Sequence, residues 1–252
     1  MTNLGDKYFH IANNMKGIDS IKYYIKAASE YSLSNQKTNS ALSYQLGADS
    51  CFNNKLYYQS ALNYIKASDQ YNDIDNDKSI ITLRLAVNLL VITKRFKLAA
   101  INFEALGILN IKTERFLEAI DSYEEAYKNY KRSNMNKEAL KCLRKMSTIM
   151  IENEEYEKAI VHLEKIDTKS KDIFLDIGIL RLYINDITIC SEFLTKHDKF
   201  MLSKEHFLLN DLIIAINENN KMEFCKLFVD YNEIFPFQKW QINLLINVLE
   251  RI

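Results

Sequence analysis

The sequence predicts an all-α protein, built as an array of antiparallel helix hairpins that ends in a helical bundle. Three observations lead to this fold class. The chain of 252 residues contains one proline and five glycines, so residues that favour sheets joined by tight turns are scarce. Segment 112–130 has the residue spacing of an amphipathic helix. The spacing within that segment recurs about every twenty residues over the first two thirds of the chain.

Each repeat places a small residue, a large residue four positions later and a small or aliphatic residue three further, as in Ala119, Tyr123 and Ala126. These positions share one helical face, where small side chains let a neighbouring helix approach closely. The first positions of the eight repeats are Ser20, Ser40, Ser60, Ser79, Ala99, Ala119, Ala139 and Ala159. Two repeats form a hairpin of about forty residues, which must stack on the next hairpin to bury its apolar face. We therefore expect a tetratricopeptide-like, right-handed array with longer helices than usual.

Polar segments at 34–39, 73–78, 131–136 and 152–155 separate the repeats and predict turns and helix N-caps. The repeat is lost after Ile166. We therefore predict two domains, a hairpin array of residues 1–166 and a C-terminal helical bundle of residues 167–252 that caps it. Pro236 is expected to interrupt the chain before a last helix.

Composition and motifs exclude several function classes. Lys plus Arg and Asp plus Glu both number 33, so no global field attracts nucleic acid. No signal peptide or membrane-spanning segment is evident, which predicts a soluble intracellular protein. Four separated cysteines could form a redox or metal site, but reduced, packed cysteines are the favoured interpretation. No catalytic motif is present, so we expect neither an enzyme, nor a cofactor, nor a small-molecule substrate.

Surfaces are the remaining candidates for function. Segment 128–145 contains seven basic residues, and helical spacing places Lys137, Lys141, Arg144 and Lys145 on one face. Two interpretations stay open for this face, an ordinary solvated surface or a patch for an acidic partner. Acidic residues dominate near the C-terminus, and Met15 and Ile18 could be exposed between the first two helices. The acidic residues are Glu205, Asp211, Glu218, Glu223, Asp230 and Glu233.

Three segments resemble the SNAP family of NSF attachment proteins, of the alpha-SNAP type. They are "FLEAIDSYEEAYKNYKRSNMNKEALKCLRKMSTIMIENEEYEKAI" at 116–160, "KRFKLAA" at 94–100 and "DYNEIFPFQKWQINLLINVLERI" at 230–252. The Lys141–Cys142–Leu143 helix and the Trp240 segment are the most specific parts. The resemblance runs from about residue 18 to the end of the chain.

The resemblance implies an adaptor in vesicle trafficking that binds the four-helix SNARE complex and recruits the hexameric AAA ATPase NSF, which disassembles it. It implies SNARE-binding roles for Arg95, Lys131, Lys141 and Lys145. A further basic position of the family is Ile101 here, so that contact is expected to be lost or moved. The acidic C-terminal end, with Glu218, Glu223 and Asp230, would contact the ATPase.

The resemblance also implies a cytoplasmic protein with weak peripheral membrane contact, through a loop that contains Met15 and Ile18. That loop is short here, so we expect weaker membrane assistance than in the family. Members of the family extend beyond the last helix in a short acidic tail that stimulates ATP hydrolysis, whereas this sequence stops at Ile252. We therefore expect that stimulation differs here or that the sequence is truncated. The alternative of the same fold is a generic tetratricopeptide-like scaffold that binds peptide tails in a narrow groove with a carboxylate clamp.

Overall fold

The computed structural model describes residues 3–166, 170–184, 187–197 and 200–252. Within these residues the chain forms fourteen α-helices and no β-strand. Their bounds are α1 Leu4–Asn14, α2 Ile18–Leu33, α3 Lys37–Asn53, α4 Tyr57–Tyr71, α5 Asn76–Ile92, α6 Phe96–Lys112, α7 Phe116–Arg132, α8 Asn136–Glu152, α9 Tyr156–Glu164, α10 Lys171–Tyr183, α11 Ile187–Lys196, α12 Lys204–Asn217, α13 Lys221–Ile234 and α14 Lys239–Arg251. None of the described helices is both long enough and apolar enough to cross a membrane.

The predicted fold class is confirmed, because helices α2 to α9 begin every nineteen or twenty residues and form the expected repeat array. All eight predicted small positions, from Ser20 to Ala159, are buried. The large residue of the repeat is buried in seven of the eight units, and Tyr24 in α2 is half-buried. The regular repeat therefore arises because every helix must present its small residues to a neighbour at the same phase.

Hydroxyl groups at the small positions bond directly to the backbone of the preceding helix. Ser40 Oγ donates to the carbonyl of Ala28 at 2.8 Å, and Ser60 Oγ donates to the carbonyl of Ala48 at 2.9 Å. Such contacts require the two helix backbones to lie close together. At Gly107 in α6, even a Cβ atom would lie 2.8 Å from the ring of Tyr123 in α7. Small residues are therefore needed where these helices meet.

Tyrosine hydroxyls in the repeat array also bond to polar groups on the adjacent helix. Tyr31 donates to Asp6 Oδ1 at 2.7 Å, and Tyr130 donates to Glu104 Oε2. Burial, followed by the bond to Asp6, raises the pKa of Tyr31 to about 12. These phenols therefore stay neutral and act as fixed hydrogen-bond donors between neighbouring helices.

Six turns of the repeat array end a helix with a non-glycine residue in the left-handed region. After α6, Glu114 has a φ of 58°, and the amide of Arg115 donates to the carbonyl of Asn110 at 2.8 Å. The amide of Glu114 donates to the carbonyl of Ile111, which completes a Schellman motif. The same geometry recurs at Asn35, Lys55, Lys94, Asn134 and Glu154. Backbone hydrogen bonds therefore define these six turns, and an expected side-chain N-cap occurs at Asp75, whose Oδ1 accepts from the amide of Lys78 at 3.0 Å.

The chain forms two compact units, Met1–Cys142 and Leu143–Ile252, and α8 contains the boundary. The predicted division after Ile166 stays a prediction, and the adjoining residues 167–169 lie outside the described residues. The second unit is built around α10, in which Phe174 is fully buried and stacks on Phe193 and Phe200. Gly178 allows α12 to approach, since an added Cβ would lie 2.2 Å from Leu209 Cδ1.

Candidate protein-interaction surfaces

The turns of the first unit fall on two edges of the array because successive helices are antiparallel. One edge contains the turns α2–α3, α4–α5 and α6–α7, and we call it the paired edge. The other contains the turns α1–α2, α3–α4, α5–α6 and α7–α8, and we call it the basic edge. Contacts between turns support this grouping. A Cβ on Gly17 would lie 3.9 Å from Asn54 Oδ1, and the Lys37 ammonium lies 2.8 Å from Asp73.

Cations on the paired edge are neutralised by carboxylates of neighbouring turns. Besides the Lys37–Asp73 pair, Arg115 lies 2.6 Å from Asp77 Oδ1. The Lys37 ammonium lowers the pKa of Asp73, chiefly through its hydrogen bond. These charges are exposed and already satisfied, so each pair contributes only modestly to stability.

Arginines on the basic edge contact aromatic rings instead. The guanidinium of Arg95 lies 4.8 Å from the ring centre of Tyr58, and that of Arg132 lies 5.4 Å from the ring centre of Phe96. Within the described part of the chain, neither guanidinium makes an ion pair. Both are exposed, so each is oriented by a ring while its N–H donors stay available for an anion.

A surface cavity of about 410 Å³ lies beside Arg95 at the start of α6. Tyr58 of α4 forms one wall, and Lys97 and Ile101 of α6 form another. Lys94 and Ser133 complete the basic edge around it. Three cations line this cavity, and its described lining includes no carboxylate. An acidic side chain of a partner is the chemical group that this cavity suits best.

The other predicted basic residues lie along the end of α7 and along α8. Lys131 is exposed and donates to Asn136 Oδ1 at 3.0 Å. Because Ser133 lines the same cavity as Arg95, the turn that follows Lys131 lies at the same edge as Arg95. Lys141 is exposed on α8 in the first unit, and Lys145 is exposed one turn later on α8 in the second unit.

Arg144 differs from the expectation that it joins Lys141 and Lys145 on a free basic face. It is half-buried, and its guanidinium lies 3.8 Å from Asp172 and 3.7 Å from Asp176. Both carboxylates belong to α10, which packs within the same unit. Arg144 therefore has its acidic partners within the chain, whereas Lys137, Lys141 and Lys145 are exposed on α8.

Of the six acidic residues named near the C-terminus, the three expected to bind a partner, Glu218, Glu223 and Asp230, are exposed. Glu218 is the C-cap of α12, and Glu223 lies in the first turn of α13, where its amide donates to Asn220 Oδ1 at 3.1 Å. Asp230 is seven residues after Glu223, so both lie on the same face of α13. Met222, beside Glu223, is also strongly exposed. The structure thus presents acidic and apolar groups together at α13.

Met15 and Ile18 border the turn between α1 and α2, on the basic edge. Their side chains are 38% and 62% exposed, so neither belongs to the core. Both apolar side chains are therefore available to a partner or a lipid surface.

Sequence reasoning did not identify Tyr58, Phe96, Lys97 or Arg132 as members of the basic edge. Tyr58 and Arg95 are far apart in sequence, and neither occupies a position of the small–large–small repeat. Only the fold shows that these rings and guanidinium groups stack. The excess of basic residues around the α5–α6 turn was the one available signal.

Comparisons with known proteins agree on one family. A family model described as soluble NSF attachment protein, SNAP, matches residues 5–252. The alpha-soluble NSF attachment protein of Vitis vinifera is 23% identical over 248 residues, which cover 93% of this chain and 86% of that protein. The beta-soluble NSF attachment protein of Bos taurus is 24% identical over 210 residues, which cover 77% and 70%.

Two solved structures are also similar, each with a TM-score of 0.41. One, from a functional characterization of pilF of Pseudomonas aeruginosa, is 10% identical and covers 90% of this chain and 96% of its own. The other is a Rap protein complexed with competence and sporulation factor. It is 14% identical and covers 98% of this chain and 70% of its own.

Proposed function

Because the chain belongs to the SNAP family of soluble NSF attachment proteins, we propose that it is an adaptor that binds assembled SNARE complexes and recruits the ATPase NSF to disassemble them. The observation that carries this proposal is the match of the family model to residues 5–252. The protein itself acts by binding, and the chemistry belongs to the ATPase.

The proposed SNARE contacts are Arg95 and Lys131 on the basic edge, and Lys141 and Lys145 on α8. All four side chains are exposed, and the cavity beside Arg95 is cationic. Individual exposed ion pairs are weak, at about 0.2–1 kcal/mol, so several contacts must act together. Several copies bound along one SNARE complex would supply that avidity.

The ATPase-binding end consists of Glu218, Glu223 and Asp230. Their exposure around α12 and α13 supports a contact with a basic surface of NSF. Met15 and Ile18 would give a weak peripheral contact with membranes, consistent with a cytoplasmic protein that associates with them. A single small apolar pair is marginal for stable anchoring, so the protein interactions must dominate.

The test is co-sedimentation with an assembled SNARE complex over a range of salt concentrations. We expect salt-sensitive binding that is lost in Lys141→Glu plus Lys145→Glu. The matched control is Lys7→Glu plus Lys22→Glu, two exposed lysines on α1 and α2, which changes the net charge equally and should retain binding.

A second pair of substitutions separates the two partners. Glu218→Lys plus Glu223→Lys should still bind the SNARE complex but fail to recruit NSF to it. Wild-type protein that does not bind SNARE complexes at any salt concentration would refute the adaptor proposal. The generic scaffold that binds peptide tails would then be the remaining candidate.

A further inference from the structure

A second cavity lies beside the C-terminal end of α6, whereas the cavity beside Arg95 lies at its N-terminal end. This second cavity has a volume of about 230 Å³, with Asp69 and Asn72 of α4 on one side and Ile108 and Lys112 of α6 on the other. Leu83 of α5 lies between them. The first cavity is bordered by the beginning of α4 and of α6, and the second by their ends. Both cavities are therefore bordered by α4 and α6, and we call the two together the groove.

An exposed isoleucine of α6 borders each cavity of this groove. Ile101 borders the first cavity and Ile108 the second, and their side chains are 44% and 60% exposed. They lie seven residues apart on one face of α6, a distance of about 10.5 Å along the helix. Covering two such side chains removes apolar surface from water and favours a partner.

Charge distinguishes the two ends of the groove. Lys94, Arg95 and Lys97 line the first cavity without a carboxylate among its described residues. The second cavity holds one residue of each sign, Asp69 and Lys112, and Lys112 also donates to the carbonyl of Asn72 at 3.2 Å. The groove is therefore cationic at one end only, so its occupant should be acidic at that end.

We infer that this groove receives one helix of the bound SNARE complex, an inference that rests on the proposed function. The helix places outward-facing apolar side chains at positions i and i+7 against Ile101 and Ile108, and an acidic side chain beside Arg95. A helix matches the spacing, because its residues i and i+7 are also about 10.5 Å apart on one face. Same-face residues of an extended strand recur every 6.4–6.8 Å or so, which does not match.

Apolar side chains in the groove change which partners it selects. A purely basic face would select partners by acidic side chains alone, and its affinity would be lost at high salt. An apolar centre adds a contribution that salt does not screen. We therefore expect a SNARE complex with apolar residues facing Ile101 and Ile108 to bind better than one with acidic residues at those two positions.

The experiment measures the affinity of the whole protein for an assembled SNARE complex, from low to high salt. The test variant is Ile101→Ser plus Ile108→Ser. The matched control is Leu85→Ser plus Ile81→Ser on α5, where exposure is 42% and 58% and neither residue lines the groove. We expect the test variant to bind about tenfold more weakly at every salt concentration, with an unchanged salt dependence. The control should bind like the wild type.

A conservative variant tests whether the lower affinity of the serine variant results from disturbed folding. Ile101→Leu plus Ile108→Leu keeps the apolar surface and should bind within about twofold of the wild type. If the serine variant binds like the wild type, or the control loses as much affinity, the groove is not the binding site and the inference fails. If the wild type binds no SNARE complex, the proposed function fails and this inference fails with it.

Discussion

Gln241 Nε2 donates a 2.7 Å hydrogen bond to Asp176 Oδ1 inside the second unit, which joins α14 to α10. The other carboxylate oxygen of Asp176 lies 3.7 Å from Arg144 Nη2. Burial raises the pKa of Asp176 to about 6, and it outweighs the opposing effects of Arg144 and Gln241. At neutral pH the second unit therefore contains a buried carboxylate whose charge is only partly compensated.

Replacement of Asp176 by Asn should change how stability depends on pH. The folded-state pKa of about 6 lies above the ordinary value of 3.8, so the folded protein holds the proton more tightly. The stability contributed by that proton is fully present below about pH 3.8 and is lost as the pH rises through about 6. The neutral amide has no such loss. Relative to the wild type, the free energy of unfolding of Asp176→Asn should therefore rise by on the order of 3 kcal/mol between about pH 4 and about pH 7.

Denaturant unfolding at several pH values measures this difference. The control is Asp172→Asn, which removes the exposed second neighbour of Arg144 and leaves Asp176 in place. Its difference from the wild type should vary little with pH, since exposed ion pairs contribute little. A difference for Asp176→Asn that stays constant over this pH range would show that the buried carboxyl does not titrate as predicted.

Glycine at a left-handed turn position should stabilise the first unit. Glu114 has a φ of 58°, which strains an L side chain but not glycine. We expect Glu114→Gly to raise the free energy of unfolding by about 0.5–1 kcal/mol, as measured by denaturant unfolding. Glu118→Gly, a few residues later inside α7, should lower it by about 1 kcal/mol. Equal effects of the two substitutions would contradict the turn geometry.

The four cysteines should divide into three unreactive thiols and one reactive thiol. Cys51, Cys142 and Cys190 are buried, and Cys225 on α13 is exposed. Burial also raises the pKa of Cys142 to about 12, so very little of the reactive thiolate forms. A thiol reagent at about pH 8 should modify one thiol rapidly in the folded protein and four after unfolding. Cys225→Ser should abolish the rapid phase, and a rapid phase that survives would contradict the assignment.

The helical repeat could be predicted from sequence because its cause is local and recurs. Ser40, Ser60 and Ala119 all meet a neighbouring helix at the same phase, and only small residues fit there. A single sequence shows that requirement, because the small residues recur about every twenty positions. It also explains why the repeat positions were predicted correctly even where the large residue changes from tyrosine to leucine.

The positions of the turns could be predicted, but their backbone conformation and the ion pairs could not. Lys94 and Glu114 adopt a conformation that sequence usually reserves for glycine or asparagine, because backbone hydrogen bonds in the Schellman turn outweigh its strain. Arg144 meets Asp172 and Asp176 only because α10 packs beside α8 in the second unit, where the repeat has ended. Helical spacing alone placed Arg144 on a free face, and tertiary packing decided otherwise.

The unequal distribution of ion pairs along the two edges makes the first unit mechanically asymmetric. Lys37–Asp73 and Arg115–Asp77 connect successive turns on the paired edge, whereas Arg95 and Arg132 on the basic edge stack on rings and join no carboxylate within the described chain. Opening the paired edge separates these ion pairs, whereas opening the basic edge breaks no ion pair among the described residues. Because each exposed pair contributes at most about 1 kcal/mol, the difference is modest, and it favours widening of the groove at the basic edge. Partners of somewhat different girth can then be accommodated by small rotations between hairpins instead of by unfolding.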